Sequence, residues 1–90
     1  MNKSEIISKI AESTNIPKKE VETVITSFFD TVKNSLKNNE NVKLIGFGTF
    51  SSNERKARAG RNPQTGQTIN IPSYFYPKFK PGREFKEYLN

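Results

Sequence analysis

The chain has 90 residues and a formal net charge of +6, with 15 lysines and arginines, nine acidic residues, and neither histidine nor cysteine. A chain this short buries a small fraction of its surface, so we expect help from a second subunit, and neither disulfides nor thiolate-bound metals can supply it. No apolar run approaches the roughly 18 residues that span a bilayer, and no signal-peptide core precedes the first predicted helix. We therefore expect a soluble, cytoplasmic protein without a membrane partner.

Two helices are predicted in the first half of the chain. Asn2, followed by Glu5 three residues later, resembles a capping box and predicts a helix over about residues 3–14. Pro17 suits the first turn of a second helix, which should end near Asn38. The apolar stripe of this second helix spans an arc of about 140°, so strands or a second subunit must cover it. The stripe consists of Val21, Val24, Ile25, Phe28, Phe29, Val32 and Leu36.

A hairpin should follow a turn at residues 38–41. Val42 and Leu44 alternate with Lys43, which predicts a strand. The segment Gly46-Phe47-Gly48 then predicts a tight turn or bulge before the next strand. It is not a nucleotide-binding fingerprint, because a third glycine at the right spacing and a following helix pattern are both missing.

Residues 51–72 are poor in apolar side chains, so disorder is one interpretation of this segment. The alternative is a long hairpin, because Asn62-Pro63-Gln64-Thr65-Gly66 is favourable turn chemistry. Pro63 fits the second position of a type I turn, and Gly66 can adopt a left-handed conformation. Residues 51–61 and 67–77 would then pair as two long antiparallel strands. Such an arm is marginally stable alone and should be mobile until something binds it.

Residues 74–80 alternate between two kinds of side chain, one apolar and the other basic or tyrosine. Phe75, Pro77 and Phe79 are predicted on one face of a strand, where Phe75 would extend the core. The opposite face would carry Tyr74, Tyr76, Lys78 and Lys80. Pro81-Gly82 should end the strand before a short closing helix at 83–89, with Phe85 and Leu89 at i and i+4.

The net positive charge comes entirely from the second half of the chain. Residues 1–40 hold six lysines and six acidic residues, whereas residues 55–83 hold seven cations and no acid. All four arginines lie in that segment, and the planar, weakly hydrated guanidinium suits phosphates and narrow minor grooves. This asymmetry indicates a polyanionic partner, and it favours a nucleic acid over a merely solvated basic face.

Arg55, Arg58 and Arg61 recur along the outgoing strand of the predicted arm, and Pro63 lies just beyond them. A protein that inserts an apolar side chain between base pairs needs cations that hold the duplex and a stiff ring at the end of a lever. Proline loses no rotamer entropy on insertion. The alternative is that Pro63 only forms the turn; the surrounding charge favours the wedge.

Over essentially all 90 residues the sequence resembles the bacterial HU/integration host factor family of histone-like DNA-bending proteins. The resemblance implies an α+β fold with a helical base of two N-terminal helices, an antiparallel sheet with a long protruding β-hairpin arm, a short C-terminal helix and an intertwined homodimer. It is carried by Gly46-Phe47-Gly48-Thr49-Phe50, Gly60-Arg61-Asn62-Pro63-Gln64-Thr65-Gly66, Ile69, Ile71, Phe79, Gly82 and the terminal helix.

The chain should form a single DNA-binding domain over residues 1–90. Residues 1–40 would form the helical dimerisation part, residues 41–82 the strands with the arm at about 52–76, and residues 83–90 the C-terminal helix. At Tyr74-Phe75-Tyr76 the sequence departs from the family, which usually has small or basic residues there. Tyr74 and Tyr76 could stack at the base of the arm or touch sugar edges, and the sequence leaves both roles open.

The resemblance also implies which residues act. Pro63 would intercalate, the three arginines of the outgoing strand would contact the groove and its phosphates, and cations of the body would hold the flanking duplex. The predicted DNA-binding residues are Pro63, Arg61, Asn62, Arg58, Arg55, Lys56, Lys3, Lys18, Lys78, Lys80 and Arg83. The predicted dimer-core residues are Phe28, Phe29, Phe47, Phe50 and Phe79.

The function implied is that of a nucleoid-associated protein that binds double-stranded DNA largely without sequence specificity. It would bend DNA from the minor groove and prefer bent, nicked or mismatched duplexes. One alternative is a subunit of a sequence-specific, integration host factor-like bending factor, and another is an RNA-binding module. We predict neither catalytic residues nor a metal or cofactor, because the only acids after Asn41 are Glu54, Glu84 and Glu87.

Overall fold

The computed structural model describes all 90 residues, which form two compact units, Met1–Asn34 and Ser35–Asn90. The elements in chain order are α1 (Lys3–Thr14), α2 (Lys18–Lys37), β1 (Val42–Leu44), β2 (Gly48–Arg55), β3 (Arg58–Arg61), β4 (Thr68–Ile71), β5 (Tyr74–Pro81) and α3 (Arg83–Leu89). The predicted α+β class, with two leading helices, an antiparallel sheet, an extended hairpin and a short last helix, is confirmed.

The first unit holds α1 and most of α2. The Asn2 side chain caps α1 by accepting a hydrogen bond from the amide of Glu5 at 2.9 Å, as the sequence predicted. Pro17 directly precedes the first helical residue of α2, and its carbonyl accepts from the amides of Glu20 and Val21. A proline is harmless there because its missing N–H would have no partner inside the helix.

Little apolar surface of the first unit is buried in the single chain. Only Ile7, 8% exposed, and Val21, 4% exposed, count as buried hydrophobic residues. Phe28 and Phe29 touch each other with ring centroids 5.9 Å apart, yet each keeps more than two-fifths of its surface exposed. The stripe of α2 is therefore left largely uncovered.

The second unit is built on a three-stranded antiparallel sheet in the order β1-β2-β5. The predicted turn between β1 and β2 is confirmed: Gly46 adopts a φ of 84°, and the Phe47 amide donates to the Leu44 carbonyl at 2.9 Å. Gly48 starts β2 at a close approach, since a Cβ there would lie 2.6 Å from the carbonyl oxygen of Lys80 and from the ring of Phe79. No side chain fits at this position without a shift of the backbone.

An aromatic cluster packs on one face of this sheet and against α3. The rings of Phe50 and Phe79, which are paired across β2 and β5, have centroids 4.8 Å apart. Phe47 stacks on Phe85 of α3 at 5.0 Å with an interplanar angle of 15°. These contacts fix α3 on the sheet, yet Phe47 and Phe79 stay partly exposed in the single chain.

Candidate nucleic-acid interface

The predicted arm exists as one hairpin with one register. β2 and β5 pair from Gly48 opposite Pro81 out to Arg55 opposite Tyr74. β3 and β4 continue without a shift, beginning with Arg58 opposite Ile71. We call residues 56–73, which comprise β3, β4 and the tip, the outer arm.

The two long antiparallel strands predicted for the arm form in a single register, but each is interrupted once, which the sequence did not predict. Residues 56–57 on the outgoing side and residues 72–73 on the returning side belong to no strand, so the ladder is broken between the sheet and the outer arm. Pro72 lies at this break, and a proline has no amide hydrogen to donate to a ladder. The outer arm is therefore a separate two-stranded ribbon of four residue pairs.

The tip is closed by the backbone and side chain of Asn62. Its carbonyl accepts from the Gly66 amide at 2.7 Å, and its own amide donates to the Gln67 carbonyl at 2.8 Å. Its side-chain Oδ1 accepts from the Gln64 amide at 2.9 Å. The closing hydrogen bond thus joins residues i and i+4, whereas the predicted type I turn would join residues i and i+3. Gly66 has the predicted left-handed conformation, with φ 71°.

Pro63 lies within this tip. It directly follows the half-buried Asn62, and its ring is exposed. The three hydrogen bonds that close the tip use the amides of Asn62, Gln64 and Gly66, so the amide that proline lacks is not needed. The tip therefore presents a stiff apolar ring on a backbone that is fixed on both sides of it.

The arginines of the outgoing strand do not line one face. Arg58 and Arg61 are three residues apart in β3, which places their side chains on opposite faces of the ribbon. Arg58 shares its face with Ile69 and Ile71, which pack over Gly60, and Arg61 lies opposite Thr68 on the other face. Arg55 ends β2, and Lys56 follows it in the break. All four cations are exposed and form no ion pair.

The sheet carries a second cationic surface, which we call the basic face. It comprises Lys43 of β1, Thr49, Ser51, Asn53 and Arg55 of β2, and Tyr74, Tyr76, Lys78 and Lys80 of β5. The predicted alternation of β5 is confirmed by this register. The basic face holds no acidic residue, because Glu54 lies on the opposite face, across from Phe75.

Lys43 is a member of the basic face that sequence reasoning missed. It pairs with Thr49 of β2, which in turn pairs with Lys80 of β5. The two lysines therefore lie on either side of Thr49 on the same face of the sheet. The charge count of the acid-free segment began at Arg55 and therefore excluded it. The alternation of Val42, Lys43 and Leu44 was the signal that could have found this residue.

The aromatic residues at the base of the arm differ from the prediction at one position. Phe75 was expected to extend the core, but it is 67% exposed in the single chain. It lies near the start of β5, beyond the aromatic cluster, where its cross-strand neighbour is the charged Glu54. Tyr74 and Tyr76 share the basic face, with ring centroids 6.2 Å apart.

The cations predicted in the rest of the chain have different surroundings. Lys3 and Lys18 line one shallow depression of the first unit, together with Glu22. The Lys3 ammonium also contacts the Thr26 hydroxyl at 3.3 Å and lies over the Phe29 ring. Arg83 forms the one ion pair of the chain, an exposed contact of 2.9 Å with Glu87. It is thus the one predicted DNA-binding cation that already has a carboxylate partner.

Two classes of site receive no support from the geometry. No group of three or more acidic residues is close enough together to hold a metal ion. No helix has the length and apolar character needed to cross a bilayer.

Comparison with known proteins places this architecture in a family. A family model described as bacterial DNA-binding protein matches residues 1–90. The chain is 48% identical over 87 residues to DNA-binding protein HU 1 of Bacillus subtilis, covering 97% of this chain and 95% of that protein. It is 46% identical over 90 residues to DNA-binding protein HU of Clostridium pasteurianum, covering 100% and 99% of the two chains.

A solved structure agrees with these sequence matches. The fold is similar to that of an Anabaena HU protein in a cocrystal with DNA, with a TM-score of 0.90, 39% identity, and coverage of 99% of this chain and 97% of that one. The family resemblance predicted from the sequence is confirmed. The chain belongs to the family of bacterial DNA-binding proteins that includes these HU proteins.

Proposed function

We propose that this protein binds double-stranded DNA largely without sequence specificity and bends it, as a nucleoid-associated protein of the bacterial cytoplasm. It acts as a homodimer whose two arms enter the minor groove, and Pro63 of each arm intercalates between base pairs. The observation that carries this proposal is the tip geometry: an exposed proline ring is held at the end of a cationic, acid-free ribbon.

The charges of the outer arm support entry into a groove. A ribbon lying in a groove has a wall of phosphates on each side, and Arg58 and Arg61 point to opposite faces of the ribbon. Ile69 and Ile71 add an apolar strip beside Arg58, suited to sugar and base edges. These contacts need no base identity, which supports binding governed by phosphates and by DNA deformability.

The proline at the tip supports bending. Apolar wedges that enter from the minor groove unstack a base step and kink the duplex toward the major groove. The ring of Pro63 has no polar group to desolvate, and the hydrogen bonds around Asn62 hold the neighbouring backbone in place. Insertion therefore requires little ordering of the tip itself.

The uncovered aromatic residues support a dimer. Only two hydrophobic residues of the chain are buried, while Phe28, Phe29, Phe47 and Phe79 are each between 37% and 44% exposed. Contact with a second copy would remove this surface from water at about 25 cal/mol per Å². Four of the five predicted dimer-core residues are thus among the large apolar side chains that the single chain leaves exposed.

The names of the relatives support a binding role rather than a catalytic one. The relatives are named as DNA-binding proteins, and the Anabaena HU protein was crystallised with DNA. We carry that partner over to this chain. Catalysis is not part of the proposal, since the chain has neither histidine nor cysteine and no acidic cluster.

The test is a titration of the purified chain, after its mass in solution has been measured, against short duplexes of unrelated sequence. We expect a dimer that binds these duplexes with similar affinity and binds nicked and mismatched versions more tightly, because their deformation costs less. A monomer, a strong preference for one sequence, or equal affinity for intact and nicked duplexes would contradict the proposal.

A further inference from the structure

The basic face contains an aromatic pair that arm insertion does not use. Tyr74 and Tyr76 lie on β5 at the base of the arm, whereas Pro63 and Arg61 are at its far end. Directly across on β2, Tyr74 faces Arg55 and Tyr76 faces Asn53. The pair is thus bordered by a guanidinium and an amide that point to the same side of the sheet.

The surroundings of these rings leave them free to bind. Tyr74 is 46% exposed and Tyr76 is half-buried, and neither tyrosine hydroxyl forms a hydrogen bond within the chain. No cation lies over either ring, since the one cation–π contact of the chain is that of Lys3 with Phe29. The two ring planes are inclined at 54°, so the rings do not stack on each other. Stacking within the pair therefore does not occupy their flat faces, and the exposed ring of Tyr74 offers the more accessible one.

The chemistry of the face selects the ligand. Aromatic rings beside cations are the arrangement that holds unpaired nucleotides, with the bases stacked on rings and the phosphates held by arginine or lysine. In an intact duplex the base faces are hidden inside the stack, so only an unpaired base can lie flat on a tyrosine. Lys78, next to Tyr76 on this face, extends the phosphate-binding surface, and none of the strand residues on this face is acidic.

We propose that Tyr74 and Tyr76 form a stacking site for an unpaired DNA base, with Arg55 and Lys78 holding the adjacent phosphates. This inference rests on the proposed binding of DNA and adds a second means of recognising damaged or gapped duplexes. Deformability alone makes a gap attractive whether or not bases are present in it. With the tyrosine site, the affinity also depends on whether bases are present in the gap.

The experiment compares two gapped duplexes that are equally interrupted. In one, the strand opposite the gap keeps its bases; in the other, those nucleotides are abasic. We expect the protein to bind the base-bearing gap about ten-fold more tightly than the abasic gap, in line with base–aromatic stacking. The Tyr74→Val/Tyr76→Val variant, which keeps strand-forming residues, should bind both gaps equally. The Tyr74→Phe/Tyr76→Phe variant should keep the preference, because stacking does not need the hydroxyl.

Fluorescence gives an independent signal. The chain has three tyrosines and no tryptophan, so the Tyr88→Phe variant emits only from the proposed site. Tyr88 is 87% exposed on α3 and serves as the neutral position. Emission of this variant should be quenched by the base-bearing gap and far less by the abasic one.

Each outcome has a distinct meaning. Equal affinity of the unaltered protein for the two gaps, or a preference that survives in the valine variant, overturns the stacking site. A valine variant that weakens binding to intact duplex as much as to gaps assigns the rings to duplex sugars and also overturns it. A protein that binds no DNA would instead refute the proposed function, and intact-duplex binding by the valine variant confirms that this variant is folded.

Discussion

The two parts of the hairpin share a register but differ in what stabilises them. The inner part, β2 with β5, has eight residue pairs, mostly half-buried positions on β2 and the Phe50–Phe79 contact. The outer arm has four pairs, and its apolar contact is limited to Ile69 and Ile71 over Gly60. The inner part therefore stabilises the fold, while the outer arm offers charge and a rigid tip. Substitutions on the sheet side of the break near Pro72 should therefore change the stability of the fold, and substitutions in the outer arm should change DNA binding.

The largest expected effect is on stability and concerns the inner part. Gly48→Val places a side chain against the Lys80 carbonyl and the Phe79 ring, where a Cβ would lie at 2.6 Å. Overpacking of this kind should lower the free energy of unfolding by about 3 kcal/mol, as measured by urea denaturation.

The matched control is Gly66→Ala in the outer arm. A Cβ there meets nothing within 4 Å, and its only cost is the left-handed φ of 71°, worth about 1–2 kcal/mol locally. Because the outer arm can open without unfolding the sheet, the urea midpoint should stay unchanged. A lowered urea midpoint in the Gly66→Ala variant would show that the hairpin unfolds as one unit.

The next effect is on binding and concerns the outer arm together with Arg55 at its base. Replacing Arg55, Arg58 and Arg61 together with glutamine should flatten the log-log dependence of DNA affinity on salt by about 0.9 for each phosphate that is no longer neutralised, and so by up to about 2.7. The control variant changes Lys9, Lys33 and Lys37 to glutamine, which removes the same charge from the helices. A similar slope change in both variants would mean that net charge, rather than the arm, sets the affinity.

A smaller difference between the two parts should appear in the amide hydrogen exchange of the unmutated, DNA-free protein. Amides of β3 and β4 should exchange hydrogen faster than those of β2 and β5, because a two-stranded ribbon without a core is only marginally stable. Bound duplex should slow exchange in the outer arm and leave the inner part almost unchanged. Uniform exchange along the hairpin would remove the distinction between the two parts.

The smallest effect concerns the exposed ion pair of α3. Glu87→Gln releases Arg83 from its carboxylate, and unfolding stability should change by no more than about 0.5 kcal/mol. The freed arginine becomes available to phosphate, so DNA affinity at low salt should rise modestly. A fall in affinity in this variant would indicate that the ion pair itself positions Arg83 for binding.

Much of this architecture could be predicted from the sequence because local signals and the fold agree. The cap at Asn2, the proline before α2, the turn at Gly46 and the left-handed Gly66 each fix a boundary through their own backbone chemistry. The alternation of β5 was predicted from the two-residue period of a strand, since one face meets the aromatic cluster and the other the solvent.

The remaining features depend on neighbours that are distant in sequence. The ladder breaks where residues 56–57 meet Pro72 on the opposite strand, and pairing is not visible in one strand alone. Lys43 joins Lys80 only through Thr49 between them. The exposure of Phe75 follows from its place beyond the aromatic cluster, a position that its hydrophobicity does not reveal.

The central claim is that the ring of Pro63 bends DNA, and energy transfer between dyes at the two ends of a short duplex tests it most directly. At saturating protein, we expect the ends to approach each other. Pro63→Ala should reduce this approach more than it reduces affinity, and Pro63→Leu, which restores an apolar wedge, should recover it. A bound duplex that stays straight, or equal bending by the alanine variant, would contradict the account.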